Sequence, residues 1–208
     1  MTSNNAMRII RDAIIASVLY SYVCTATLYP TVLHLDQLCG KTVTVNGDVR
    51  LAISEKTYLP SNTFCALTLK PDKGTALVAN FRKFSIDPKY RNSIDECQVE
   101  AVQLTWPGGD YFGDRGYCGS GRPGDQYMLG NLGTLSYTTW NGIHILTADV
   151  DLLVSEIFYK TDVCPKGTFD CGIDSLCIDE DLTCNGYKDC GNGSYEGAAV
   201  LLQSRLEL

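Results

Sequence analysis

Cys97-Gln-Val-Glu100-Ala-Val102-Gln-Leu104-Thr-Trp106-Pro-Gly-Gly109, followed by Gly116-Tyr-Cys118-Gly-Ser-Gly-Arg122-Pro123, is the stretch on which the fold turns. Val102, Leu104 and Trp106 fall on every second position, the period of a strand with one buried face. Pro107-Gly108-Gly109 then breaks the run, and Arg122-Pro123-Gly124 supplies a second turn. The same pattern recurs outward in both directions. Val43/Val45, Leu67/Leu69 and Ile143/Ile145 alternate, with turn signals at Asn46-Gly47 and Leu59-Pro60. The expected fold is mainly β, with short antiparallel strands packed as a sandwich.

The chain has 208 residues and 10 cysteines, and its 24 Asp and Glu outnumber 17 Lys and Arg for a formal charge of −7. No basic cluster is present, so a nucleic-acid role is set aside, because phosphate binding draws on grouped Lys and Arg. No apolar run reaches the ~20 residues that cross a bilayer. Only His34 and His144 are available for imidazole chemistry.

Cys39, Cys65, Cys97 and Cys118 are widely spaced, whereas Cys164, Cys171, Cys177, Cys184 and Cys190 crowd together. Two regions follow from that contrast. The first, 39–163, is long enough to own a hydrophobic core. The second, 164–196, has seven Asp or Glu against Lys166 and Lys188, and a segment below ~40 residues rarely folds without disulfides or metal.

Arg8 and Arg11 precede an apolar segment, Ala13 to Cys24, that closes on the small residues Thr25-Ala26. Residues 1–26 therefore read as an export signal, and the cysteine count independently points to an oxidising, extracellular compartment. Cleavage near Ala26 leaves nine cysteines, an odd number.

The region 39–163 resembles a CUB domain. Cys97-x-x-Glu100-x-Val102-x-Leu104 is similar to that family's strand motif and Tyr117-Cys118-Gly119-x-x-x-Pro123 to its turn, while Leu67 and Trp106-Pro107-Gly108 depart from it. The resemblance implies a jelly-roll-like antiparallel sandwich with Cys39 bonded to Cys65 and Cys97 to Cys118. It also implies a calcium ion at one end, held by Asp87, Glu100 and Asp149. Carboxylates gathered from distant positions repel one another unless a cation sits among them, and hard oxygen ligands suit calcium.

The region 164–196 resembles a class A repeat of the LDL receptor, with the sixth cysteine missing. The family's pairing implies Cys164 with Cys177 and Cys171 with Cys190, which leaves Cys184 unpaired. Its calcium cage falls on Asn185, Asp189, Tyr195 and Glu196 with carbonyls from Leu182 and Tyr187. Only two of the four side-chain positions keep a carboxylate, so weak binding is expected. Residues 197–208 have none of the family's character and read as a disordered or atypical tail.

Asn192-Gly193-Ser194 is a glycosylation sequon. Tyr111-Phe112 and Trp140-Asn141-Gly142 read either as partner anchors or as caps on the sandwich core, and Asp110, Asp114 and Asp125 as turn residues. Neither a phosphate-binding Gly-Lys-Ser/Thr nor a protease Gly-Asp-Ser-Gly occurs. The two resemblances imply a non-catalytic extracellular protein-binding module, a receptor-accessory or clustering protein of the neuropilin-and-tolloid-like kind. The alternative is the non-catalytic front portion of a modular extracellular serine protease, and a third reading is a secreted decoy. The expected partner is an extracellular protein ligand or receptor.

Overall fold

The computed structural model describes residues 30–56, 60, 62–86, 97, 99–113, 115–140, 148–172, 175–183, 185 and 187–190. Strands dominate. In chain order they are β1 (Val32–His34), β2 (Thr42–Val45), β3 (Asp48–Ala52), β4 (Phe64–Pro71), β5 (Ala76–Ser85), β6 (Glu100–Trp106), β7 (Gly109–Asp110), β8 (Gln126–Leu129), β9 (Gly133–Thr139), β10 (Asp149–Tyr159), β11 (Thr168–Asp170) and β12 (Leu176–Asp179).

One sheet runs β2-β4-β9-β6-β7, and the other joins β1, β3, β10, β5 and β8 in that order. Pairing is antiparallel except for β1 with β3 and β2 with β4. The alternation read at 102–106 is realised here: Val102 and Leu104 are wholly buried, and Trp106 packs against the same core. Leu67, Leu69, Leu135 and Tyr137 face them from β4 and β9, and Leu77, Phe81 and Leu152 close the core from the other sheet. Ile143 and Ile145 lie outside the described residues.

Gly116 shows why the turn motif has its residues. Its φ is +68°, and a Cβ there would stand 2.7 Å from the Val102 carbonyl oxygen, so only glycine fits. That close approach lets Tyr117 and Val102 exchange backbone hydrogen bonds of 2.7 and 3.0 Å, while Gly119 does the same with Ile86 at 2.8 and 2.9 Å. The segment thereby ties one sheet to the other, and the Cys97–Cys118 disulfide anchors it. Cys39 is bonded to Cys65 of β4.

Beyond the sandwich, β11 and β12 form a hairpin whose β12 pairs antiparallel with the end of β10, matching Ile157 to Ile178 and Tyr159 to Leu176. This position continues the line of β3, which covers β10 only from Asp151 to Ser155. The hairpin is stapled by Cys164–Cys177 and Cys171–Cys190. Leu176, Ile178 and Leu182 bury themselves against Ala76, Val78 and Ile157 of the sandwich. Leu153, Ser155 and Ile157 are buried in consequence, on the face of β10 opposite to Leu152 and Val154. A run buried on both faces shows no alternation, which is why 152–157 carries no period-2 signal.

Candidate functional site

Asp149, Glu100 and Asp87 occupy very different surroundings. Glu100 starts β6, is wholly buried, and receives the hydroxyl of Tyr137 from the neighbouring strand β9. Burial, reinforced by the adjoining carboxylate, pushes the Tyr137 hydroxyl pKa well above its usual value. Asp149 opens β10 on the other sheet, is exposed, and pairs with Lys83 of β5. Asp87 lies outside the described residues. Among the described residues, no three His, Cys, Asp or Glu side chains gather as a metal centre.

The class A positions lie where the hairpin module meets the sandwich. Asp189 is buried, accepts the hydroxyl of Ser155 from β10 on one oxygen, and accepts the Asn185 amide on the other at 2.9 Å. The Asn185 side-chain oxygen in turn accepts the Tyr187 backbone N–H at 2.8 Å. Desolvation raises the Asp189 carboxyl to about 6, with the hydrogen bonds from Ser155 and Asn185 opposing it. Both Asp189 oxygens and the Asn185 oxygen are thus engaged within the protein. A cavity of about 250 Å3 adjoins this group, lined by Leu182, Asn185 and Tyr187 from the module and Asn46, Gly47 and Asp48 from the β2–β3 turn. Leu182, Asn185, Tyr187 and Asp189 therefore come together; Cys184, Asn192, Tyr195 and Glu196 lie outside the described residues.

Sequence reasoning missed the sandwich's share in this group. Ser155 and Asp48 gave no motif signal; the only hint was the unbroken buried character of β10. The aromatic residues are clearer. Phe112 lies 6.0 Å from Phe81 and 5.0 Å from Tyr117, ring centre to ring centre, and Trp106 stacks on Tyr111 at 4.3 Å. These side chains cap one end of the core. Asp110 accepts the Gly113 N–H at 2.6 Å, ordinary turn chemistry, and Asp114 lies outside the described residues.

The geometry defines a two-sheet β sandwich carrying a small cross-linked module on its outer face. Residues 162–199 match the family described as low-density lipoprotein receptor domain class A. Among solved structures, the chain is similar to the CUB1-EGF-CUB2 domain of human MASP-1/3, at 11% identity and TM-score 0.46, over 57% of this chain and 42% of that one. It is also similar to the MASP-1 CUB2 domain bound to Ca2+, at 11% identity and TM-score 0.45, over 56% of this chain and 98% of that one. The full extracellular region of zebrafish Gpr126/Adgrg6 gives 13% identity and TM-score 0.45, over 57% of this chain and 15% of that one. CUB and class A units are protein-interaction modules of extracellular proteins, typically non-catalytic.

Proposed function

We propose that this chain is an extracellular, non-catalytic protein-binding module that acts beside a receptor, as an accessory or clustering protein, with calcium stiffening its loops. In this reading residues 1–26 are an export signal, 39–163 a CUB domain, 164–196 an incomplete class A repeat and 197–208 an atypical tail. The observation that carries it is the class A match over residues 162–199, on a module stapled by two disulfides and seated on a β sandwich. The motifs around Cys97 and Cys118 support the CUB reading of that sandwich, and in the same reading Asn192 of the class A region carries a glycan.

Calcium in the CUB site would be held by Asp87, Glu100 and Asp149. The buried Glu100 suits a cation, because a buried carboxylate is costly without a compensating charge or hydrogen bond, and Tyr137 supplies one donor. In the class A site, Asp189 and Glu196 would contribute charge, Asn185 an amide oxygen, and Leu182 and Tyr187 their carbonyls. Loading would require Asn185 and Asp189 to exchange their present hydrogen bonds for the ion, which fits a weak site. Bound calcium neutralises converging carboxylates and orders the loops that bear them.

Expression in secretory cells tests the reading as a whole. The chain is expected in the medium, oxidised, with a new N-terminus near Thr27; accumulation as a reduced cytosolic protein would overturn it. Calorimetric titration of the secreted chain should show a calcium site abolished by Asp149→Ala and weakened by Glu100→Gln. A flat titration at millimolar calcium would remove the calcium part alone.

A further inference from the structure

On the outer face of the β3-β10-β5 sheet, beside the module, lies a second depression of about 350 Å3. Its floor is Asn80 and Arg82 of β5 with Asp151 and Leu153 of β10; Arg122 borders it from the turn before β8, and Tyr187 and Lys188 close it from the module. Both halves of the molecule are needed to form it.

The charges inside it are unequal. Asp151 is held by the Arg50 guanidinium through two bonds of 2.8 and 2.7 Å, with Arg82 a further 3.7 Å away. Arg82 lies over the Tyr187 ring at 4.3 Å and donates to its hydroxyl at 3.1 Å. Asp125, outside the lining, accepts the Asn80 amide at 2.7 Å; burial raises its carboxyl above the usual range, against the opposing charges of Arg122 and Lys188. Both carboxylates are therefore already engaged. Arg122 and Lys188 are exposed, and neither makes a hydrogen bond or ion pair among the described residues. Three cations, Arg82, Arg122 and Lys188, line the depression beside one carboxylate, Asp151, which Arg50 already holds, in a chain whose formal charge is −7.

We propose that this junctional depression is a docking site for a carboxylate side chain on an acidic segment of a protein partner, received by Arg122 and Lys188. The Arg122 guanidinium offers a planar fork that matches a carboxylate, and Lys188 adds a compact charge from the module. A sulfated polysaccharide fits less well. Such polymers need cations spread along a track, whereas these cluster in one depression on an acidic molecule that would repel the rest of the chain. The site uses charges that the calcium reading leaves idle, so either idea can fail alone.

The test uses the full oxidised chain in calcium-containing buffer at low salt. A fluorescein-labelled peptide with a Glu-rich core is titrated by anisotropy, alongside a Lys-rich peptide and a heparin-derived tetrasaccharide. The acidic peptide should bind saturably and weaken as salt rises. R122Q/K188Q should lose about tenfold or more in affinity, the equivalent of one charge-assisted contact, while K70Q, which removes an exposed lysine from β4 of the other sheet, should bind as the parent does. R122E/K188E should instead prefer the Lys-rich peptide. Absence of acidic-peptide binding, unchanged affinity in R122Q/K188Q, or preferential capture of the tetrasaccharide would each overturn the proposal.

Discussion

The sandwich and the module seated on it solve the same stability problem in opposite ways. The sandwich encloses Leu67, Leu104, Tyr137 and Leu152 between its two sheets, each essentially without solvent contact. Apolar burial of that kind stabilises by roughly 1.5 to 3 kcal/mol per large side chain. The module has too few apolar residues to do likewise. It cross-links itself twice and places Leu176, Ile178 and Leu182 on a surface belonging to its neighbour. The lesson is one-sided dependence: the sandwich can outlast the module, but the module cannot keep its buried face without the sandwich.

The sharpest way to break that comparison is to strike the sandwich core. Leu104→Ala should cost about 2 to 5 kcal/mol and lower the thermal unfolding of both regions together, as read by hydrogen exchange at β10 and β12. Next, Cys171→Ser with Cys190→Ser should cost the module about 2 to 4 kcal/mol. Exchange protection should then vanish from β11 and β12 while β4, β6 and β9 keep theirs. Loss of protection throughout would show dependence in both directions.

A smaller change isolates a buried polar pair in the sandwich, Tyr137 with Glu100. Tyr137→Phe removes the donor to the buried Glu100 and should destabilise the sandwich by about 1 to 3 kcal/mol in calcium-free buffer. Added calcium should recover part of the loss if the ion compensates the same carboxylate. The smallest effect concerns the seam. Lys160, just beyond β10, pairs with Asp170 of β11 at 2.6 Å, and this holds the exposed Asp170 carboxyl below its usual range, through the side-chain bond first and then the Gly172 N–H. A lowered folded pKa adds stability that is present above the unfolded value and disappears as pH falls through the folded one. Lys160→Ala should therefore shift the unfolding midpoint only slightly at neutral pH, and not at all once Asp170 is protonated in both states.

What the sequence made legible was whatever leaves a local mark. Alternation at Val102 and Leu104 marked a one-sided strand, and the glycine of Gly116-Tyr117-Cys118 marked a backbone approach that no side chain tolerates. Cysteine density separated two modes of stabilisation. The strand β1 went unread because three residues, Val32 to His34, carry too short a pattern, and their pairing with β3 is set by tertiary contact. The seam was hidden for a different reason. Ser155, Ile157, Ile178 and Asp189 meet only because β12 continues the line of β3, a juxtaposition with no spacing rule along the chain. The depression at Arg82, Arg122 and Lys188 has the same origin, since its three cations come from three separate segments.

The central claim is that the module is built into the sandwich's sheet as one body. Residual dipolar couplings on the full oxidised chain test it most directly, with amides of β5 and β10 set against those of β11 and β12. A single alignment tensor of common magnitude should fit all four strands. Two tensors, with the smaller for the hairpin, would mean that the module swings on a tether and that the seam is not a fixed part of the molecule.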